Sequence, residues 1–316
     1  MLPVASWRVG LAAAGIVLAL AVPPLLAPYA LHLCVMVGIF AILTLSLNLI
    51  CGWAGMLSLG HAGFWLIGAY TTALLCAQQG VSFWFGLLAS IALTALSGLL
   101  LGLPALRWSG HFLAVITIAF GIIVQTLSVN WEWLTNGNEG VSNIPRPSLF
   151  GYRLTANLAF YYLVLAMLAV VCVLMQRFIA SGYGRALKAL RDDETAAACM
   201  GVNIARFKVL AFVLSAGLAG MAGSLYASYV RFLNPDSFGL DVSIRVFIMV
   251  VIGGIGSIAG SILGSLTVYV LPEILRPLQQ FYYVIWGVVV IIVMLFLPNG
   301  LATMWSASPA RRGPDR

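Results

Sequence analysis

Charge is what this sequence has least of. Only 8% of its 316 residues are charged and 62% are hydrophobic, whereas an ordinary soluble domain has roughly 25% charged residues. Apolar runs recur from Val9 to Leu297, and no polar stretch between them is long enough to fold alone. A water-soluble globular fold is therefore excluded. We predict an all-α protein with a single transmembrane domain over residues 1–316.

The sequence also lacks the short motifs of several enzyme classes. It has no Gly-x-x-x-x-Gly-Lys-Ser/Thr phosphate loop, no Gly-x-Ser-x-Gly nucleophile elbow and no His-Glu-x-x-His zinc helix. None of its cysteines has a Cys or His partner at metal-ligand spacing. Its carboxylates fall at the predicted ends of apolar runs or in loops, which argues against a proton relay or sodium site. We therefore predict no catalytic residue and no metal site in this chain.

The basic residues indicate membrane topology and not nucleic-acid binding. The formal net charge is +7, but Lys and Arg are scattered among the apolar runs and cluster only in the loops between them. This distribution is typical of the positive-inside rule, in which cytoplasmic loops collect Lys and Arg. We expect the lipid bilayer as the environment and no nucleic-acid partner.

The apolar runs predict about ten membrane crossings, some of them short or broken. A bilayer core about 30 Å thick needs roughly 20 apolar residues per helix. Runs of about this size, one of them longer, are Val9 to Ala27, Ala30 to Ile50, Met56 to Cys76, Phe83 to Leu103, Phe112 to Asn130, Asn157 to Phe178, Val209 to Val230, Ile244 to Leu271 and Phe281 to Leu297.

The basic loop 181–208 sets the predicted orientation, because its Lys and Arg residues place it in the cytoplasm. Counting back six crossings puts the N terminus inside and the loop 131–156 outside. The C-terminal tail is basic and also indicates the inside, so an even number of crossings must follow Lys208. We therefore predict that Ile244 to Leu271 splits into two short crossings at its glycines, Gly253 to Gly256. A re-entrant segment is the alternative.

Small and polar residues concentrate between Asn48 and Ala69. His61 is either a hydrogen-bonded packing residue or part of a substrate route, and the glycines around it fit either close helix packing or a broken helix. Two further glycine series predict smooth helix faces at which helices cross tightly. The first series is Gly217, Gly220 and Gly223, and the second is Gly256, Gly260 and Gly264.

The segment from Gly184 to Gly201 predicts a short helix outside the bilayer. Its Ala and Leu residues favour a helix from Arg185 to Met200, and Gly201 is placed to end it. Its basic residues recur every third position, which predicts a positively charged stripe: Arg185, Lys188 and Arg191. A solvated topogenic loop would explain the charge but not the regular helix.

This segment resembles the cytoplasmic coupling loop of ABC importer permeases. The resemblance lies in Glu194-Thr195-Ala196-Ala197, with Gly201 seven residues after the glutamate. Two further stretches, Leu47 to Phe64 and Val250 to Gly260, are similar to branched-chain amino acid permeases of the LivM type. The similarity covers most of the chain, from about Leu45 to Leu301.

The resemblance implies a bacterial inner-membrane subunit that moves leucine, isoleucine or valine by alternating access, with both termini in the cytoplasm and loop 131–156 in the periplasm. The implied partners are a second related permease, two ATP-binding cassette subunits and a periplasmic binding protein. ATP and Mg²⁺ would bind to the ATPase subunits, and no cofactor would bind to this chain. ATPase coupling would involve Arg185, Lys188, Arg191, Asp193, Glu194 and Gly201.

Two further sets of residues are candidates for contacts with substrate and binding protein. Asn48, Ser58 and His61 offer hydrogen bonds to an amino acid zwitterion, whose charged ends must be satisfied in a low-dielectric cavity. The arginines in or beside the outside loops are candidates for docking the binding protein: Arg146, Arg153, Arg231 and Arg245. A permease for urea, short amides or other amino acids is an alternative, and an ATP-independent carrier or channel is an alternative of a different class.

Overall fold

The computed structural model describes residues 19–105, 110–149, 152–154, 156–274, 287–288, 291 and 300–301. Over these residues the fold is helical except for one pair of two-residue antiparallel strands, β1 (Ser148–Leu149) and β2 (Tyr152–Arg153). The helices are α1 (Pro28–Asn48), α2 (His61–Ala73), α3 (Phe83–Ala105), α4 (His111–Asn130), α5 (Glu132–Thr135), α6 (Asn157–Ala180), α7 (Gly182–Asp192), α8 (Glu194–Cys199), α9 (Ile204–Val230), α10 (Leu240–Gly253) and α11 (Ile258–Ile274). Short 3₁₀ turns are Pro23–Leu25, Gly137–Glu139 and Pro235–Phe238, and π-helical turns Leu49–Trp53 and Leu74–Gln78 extend α1 and α2.

Five segments among the described residues are long and apolar enough to cross a membrane, and they make the chain a multi-pass membrane protein. The outer faces of α3, α4 and α6 expose large apolar side chains such as Leu88, Ile123 and Leu174, as a lipid-facing surface requires. Of the first predicted run, Val9 to Ala27, the structure describes only residues 19–27. Of the last, Phe281 to Leu297, it describes only residues 287–288 and 291. The five segments are Pro28–Trp53, Phe83–Leu103, Phe112–Asn130, Asn157–Ala180 and Ile204–Val230.

The ends of the helices meet at two opposite ends of the bundle. At one end, which we call the coupling end, the α1–α2 junction lies against α7 and the α10–α11 turn. At the other, the loop end, Val141 pairs with Leu233 and the side chain of Gln125 donates to the Pro235 carbonyl. The backbone N–H of Leu301 donates to the Ile252 carbonyl at 2.8 Å, so the chain is at the coupling end there. This position accords with an even number of crossings after Lys208.

Helices α10 and α11 form a hairpin that divides the predicted run Ile244 to Leu271 at its glycines. A Cβ atom added to Gly253 would lie 2.0 Å from the Gly260 carbonyl oxygen, and one added to Gly264 would lie 2.0 Å from that of Met249. The two helices are therefore in backbone contact and antiparallel. The predicted strip was wrong at Gly256, which has a φ of 80° and lies in the turn between the helices. Only Gly260 and Gly264 of that strip lie on α11.

Helix α9 crosses α2 and α3 as closely as its glycines allow. A Cβ on Gly223 would lie 2.3 Å from the Trp65 carbonyl oxygen, and a Cβ on Gly68 would lie 2.5 Å from the Gly220 Cα. A Cβ on Gly217 would make only an ordinary contact, at 3.5 Å. The tight crossing predicted from this glycine series is confirmed for its second and third members, and it fixes α9 at the centre of the bundle.

The predicted helix over Met56 to Cys76 begins later than expected. Residues 55–60 have no regular secondary structure, and α2 starts at His61. We call residues 55–60 the extended segment. Met56 and Leu59 gave this stretch an apolar composition, but composition alone does not distinguish helix from extended backbone.

Candidate functional site

Hydroxyl groups from distant helices accept one backbone N–H group of the extended segment and one in the first turn of α2. The Leu59 N–H donates to Thr117 Oγ1, and the N–H of Ala62 donates to Ser243 Oγ, each at 3.0 Å. Gly60 is required where the segment passes α4, because a Cβ there would lie 1.9 Å from the Thr117 carbonyl oxygen. Irregular backbone at membrane depth is tolerated only when it is buried in protein or lines a cavity, and interrupted helices of this kind commonly form transport sites.

His61 and Ser58 sit on this segment and at the start of α2, and both are fully buried. His61 Nε2 lies 2.7 Å from Ser46 Oγ, so one ring nitrogen has a hydrogen-bond partner. Within the described part of the chain, His61 Nδ1 and Ser58 Oγ have none. Buried polar atoms are nearly always hydrogen-bonded. His61 therefore fits both interpretations. Its Nε2 is hydrogen-bonded as in a packing residue, and its Nδ1 is a polar atom without a partner in the described residues that a substrate route could use.

Asn48 holds the α1–α2 junction to the α10–α11 turn. Its amide nitrogen donates to the Ser257 carbonyl at 3.1 Å and to Ser261 Oγ at 2.7 Å, while its amide oxygen accepts the Gly256 N–H at 2.8 Å. Both amide hydrogens thus have partners within the chain. The structure places Asn48 as a clamp between helix ends, and a direct bond to substrate would require that clamp to open.

The predicted coupling helix from Arg185 to Met200 was wrong in one respect, because it is two helices. The chain is extended at Asp193, and the Asp193 carboxylate accepts the backbone N–H groups of Thr195 and Ala196 at 2.8 and 2.9 Å. Asp193 therefore caps α8. The break follows from the preference of Asp for this position, which outweighed the helix propensity of the residues around it.

Gly201 ends α8 as predicted. Its φ is 82°, its N–H donates to the Ala198 carbonyl, and the next N–H, of Val202, donates to the Ala197 carbonyl. This pair of bonds is the Schellman arrangement, which requires a left-handed residue at the position of Gly201. Met200, beside it, is 84% exposed. The end of α8 is thus an exposed corner.

Glu194 pairs with a residue of the same chain. Its carboxylate lies 2.5 Å from Lys208 Nζ, and the lysine is buried in the first turns of α9. A buried lysine is stable only with a partner for its charge. The resemblance implied a role for Glu194 in ATPase coupling, which stays a prediction, whereas the structure shows that its carboxylate neutralises Lys208.

Arg191 connects the coupling helices to the interrupted α1–α2 junction. Its Nη1 donates to the Gly52 carbonyl at 2.5 Å, in the π-helical turn that leads into the extended segment. Gly55 and Gly256 also touch it, because Cβ atoms added there would lie 2.9 Å from Arg191 Cγ and 3.2 Å from Nη1. The α1–α2 junction and the α10–α11 turn therefore meet at this one side chain.

The other two members of the predicted basic stripe do not share this contact. Arg185 donates to the Ala180 carbonyl at 3.3 Å, close to its own helix. Lys188 is exposed and lines an open cleft of about 720 Å³, together with Trp53 and Arg191. The stripe predicted from spacing therefore has one inward-bonded member and two that are available to solvent or a partner.

The arginines predicted to dock a binding protein lie at the loop end, in different settings. Arg146 Nη2 donates to Asn157 Oδ1 at 2.9 Å, and Arg231 Nε donates to the Ile144 carbonyl at 3.3 Å. Arg245 is exposed and lies on α10, not in a loop. Arg153 belongs to β2, and its side chain lies outside the described residues. Docking by these residues remains a prediction.

Several residues of this site were missed by sequence reasoning. Ser46, Thr117 and Ser243 each place one hydroxyl group against the extended segment or its helix, and Lys208 partners Glu194. Single hydroxyl groups in an apolar run carry no periodic signal. Lys208, however, stood out as a cation next to the start of a span.

The chain is similar in sequence to known membrane transport proteins. The profile of the family described as branched-chain amino acid transport system / permease component matches residues 29–298. The high-affinity branched-chain amino acid transport system permease protein LivM of Salmonella typhimurium is 36% identical over 312 residues, covering 92% of this chain and 73% of that protein. LivH of the same organism is 26% identical over 286 residues, covering 83% of this chain and 90% of that protein. BraD of Pseudomonas aeruginosa, a permease protein of a system of the same description, is 25% identical over 279 residues, covering 83% and 91%. No solved structure matches the chain.

Proposed function

Because the chain belongs to the family of branched-chain amino acid transport system permease components, we propose that it is a membrane-spanning subunit of an ABC importer for leucine, isoleucine and valine. The relatives named for this substrate class support the proposal. The structural observation that carries it is the bond from Arg191 to the Gly52 carbonyl, which joins the coupling helices to an interrupted helix. A self-sufficient carrier has no need for such a connection to an outer pair of helices.

The proposed assembly contains a second related permease, two ATP-binding cassette subunits and a periplasmic binding protein. The chain is similar to both LivM and LivH proteins, which supports a pair of related permeases. ATP and Mg²⁺ bind to the ATPase subunits, and this chain needs no cofactor. The assembly lies in the bacterial inner membrane, with the coupling end and both termini in the cytoplasm and the loop end in the periplasm.

In the proposed mechanism the ATPase subunits move α7 and α8 when they close on ATP. Arg191 transmits the movement to Gly52, and the extended segment moves with it, since the two are consecutive in the chain. Ser58 and His61 are carried on that segment and at the start of α2, so their unused polar atoms change environment during the cycle. The result is alternating access, in which this chain moves substrate but breaks no bond.

Reconstitution tests the proposal directly. The permease pair, the ATPase subunits and the binding protein are placed in liposomes, and ATP-driven accumulation of labelled leucine is measured. We expect accumulation that requires both the ATPase and the binding protein. Accumulation against a gradient by the permease pair alone would refute the importer assignment in favour of an ATP-independent carrier. Accumulation of urea but not leucine would refute the substrate class.

A further inference from the structure

A polar cavity opens on the outer face of α1, α10 and α11 near the loop end. Its volume is about 230 Å³, and its lining includes Tyr29, Arg245, Tyr269 and Glu273. This face differs from those of α3, α4 and α6, whose exposed residues are mainly Leu, Ile, Val and Phe. Lipid does not favour a face that carries a guanidinium and a carboxylate.

Arg245 places a charged, exposed side chain on a membrane helix of this face. Arg245 lies five residues after the first residue of α10, about 7.5 Å along the helix axis, and its side chain is exposed. No hydrogen bond or ion pair joins its guanidinium to another residue in the ranges that the structure describes. Ionisable residues on membrane helices face the bundle interior or a water-filled cavity. Since Arg245 is exposed, a water-filled cavity between this chain and the proposed second permease would meet this requirement.

The wall of the cavity is held in place by contacts behind it. The His32 ring lines the cavity, with Nδ1 2.9 Å from the Tyr229 hydroxyl oxygen. The two rings are stacked with their centroids 5.4 Å apart. Tyr269 packs on Phe40 at a centroid distance of 5.2 Å. The His32 and Tyr269 rings in the cavity wall are therefore held in place before a ligand binds, which reduces the entropy lost on binding.

The lining matches the chemistry of one ligand class. Arginine pairs with a carboxylate through two parallel hydrogen bonds, a carboxylate and tyrosine rings attract an ammonium group, and Leu33 and Val268 supply an apolar surface. Pockets for drug-sized ligands measure roughly 300–1,000 Å³, so this smaller cavity suits a molecule with few heavy atoms. A neutral amide such as urea satisfies neither charged group.

We propose that this cavity binds the substrate as a zwitterionic amino acid with an apolar side chain, with Arg245 on its carboxylate and Glu273 on its ammonium group. The proposal rests on the proposed importer function and adds a residue-level site at the loop end. It assigns Arg245 to substrate instead of to the binding protein. It also selects amino acids over urea and short amides.

Labelling of a cysteine in the cavity wall tests the site without relying on transport. Leu33→Cys is introduced into the reconstituted complex, and its rate of reaction with a hydrophilic maleimide is measured. The protein without this change gives the background from the native cysteines, which include exposed Cys199 and partly exposed Cys34. We expect leucine to slow labelling. Leucinamide, which lacks the carboxylate, and 4-methylpentanoate, which lacks the ammonium group, should protect far less at the same concentration.

Substitutions then assign the two charges. Arg245→Gln should raise the leucine concentration for half-protection roughly tenfold or more, because a charge-assisted hydrogen bond is lost, and Arg245→Lys should raise it less. Glu273→Gln should abolish the preference for leucine over 4-methylpentanoate. Glu132→Gln, at an exposed carboxylate outside the cavity at the same end, is the matched control and should leave protection unchanged.

The outcomes separate the cavity from the proposed function. If wild-type complexes accumulate leucine but leucine does not protect the Leu33→Cys thiol, the cavity assignment is wrong and the importer assignment stands. Protection that is equal in the Arg245→Gln, Glu273→Gln and control variants likewise overturns it. If wild-type complexes do not accumulate leucine at all, the proposed function itself fails. If the Arg245→Gln complex does not assemble, the Arg245→Lys and Glu273→Gln variants still decide the result.

Discussion

Removing the Arg191 side chain should uncouple ATP hydrolysis from transport without releasing the ATPase. The bond from Nη1 to the Gly52 carbonyl is charge-assisted and 2.5 Å long. Hydrogen bonds of charged groups contribute about 1.5–3 kcal/mol, and because Arg191 is exposed to competing water we take the lower end. About 1.4 kcal/mol corresponds to a factor of ten. We therefore expect Arg191→Ala to reduce leucine transported per ATP hydrolysed roughly tenfold.

The assay is simultaneous measurement of leucine uptake and phosphate release in proteoliposomes that contain the full complex. Arg206→Ala is the matched control, since Arg206 is another exposed arginine of the segment 181–208. Within the described chain, only its backbone N–H, which donates to Asn203, has a hydrogen bond outside its own helix. Arg191→Lys keeps the charge but loses the planar fork, so it should fall between wild type and alanine.

Two results would refute the reasoning about Arg191. An unchanged ratio of uptake to hydrolysis in Arg191→Ala would mean that the bond to Gly52 does not transmit movement. Loss of binding-protein-stimulated hydrolysis together with loss of the ATPase from the purified complex would mean that Arg191 holds the ATPase directly. In that case the inward orientation of its guanidinium would not be the functional one.

Three further predictions follow from contacts in the described structure. Glu194→Lys places a second cation beside buried Lys208 and should destabilise the complex by about 3 kcal/mol. This is the lower end for a broken buried pair, because Glu194 is partly exposed. Thermal unfolding measures the change, and the charge-swapped double variant should recover most of the lost stability. Gly68→Val forces apart the crossing of α2 and α9 and should cost about 1–3 kcal/mol by overpacking, whereas Gly217→Ala should be tolerated. Equal unfolding temperatures would contradict the packing argument. Ser142→Cys should react with an impermeant maleimide added outside the cell, and a cysteine in the C-terminal tail should not; the reverse pattern would invert the proposed orientation.

The membrane segments were predictable because lipid imposes composition residue by residue. The run from Asn157 to Phe178 corresponds to α6, Asn157–Ala180, and the glycine-rich break was located correctly between α10 and α11. In both cases the signal is local: an apolar side chain at each exposed position, or a residue that tolerates positive φ at a turn. No long-range contact had to be known.

The extended segment could not be predicted, because its stability depends on residues far away in sequence. Leu59 relies on the hydroxyl of Thr117, and Ala62 relies on that of Ser243. From the sequence alone, the Asn48 amide was a candidate for binding substrate. In the structure it bonds to Gly256 and Ser261, which are more than 200 residues away in the sequence. The break at Asp193 is a different failure, since the capping preference of aspartate was visible in the sequence, but the prediction gave more weight to the helix propensity of the alanines that follow.

The packing of the bundle determines which parts can respond to the coupling helices. Helix α9 is in backbone contact with α2 through Gly68 and Gly223, so these helices must move as a unit. The α1–α2 junction is also in backbone contact with the α10–α11 turn, at Gly52 and Gly256. Its link to α7, in contrast, is the hydrogen bond from Arg191 to the Gly52 carbonyl, which can lengthen or exchange partners. Movement of α7 therefore has a path through Gly52 to the extended segment and the start of α2, where Ser58 Oγ and His61 Nδ1 are among the buried polar atoms that have no hydrogen-bond partner in the described residues.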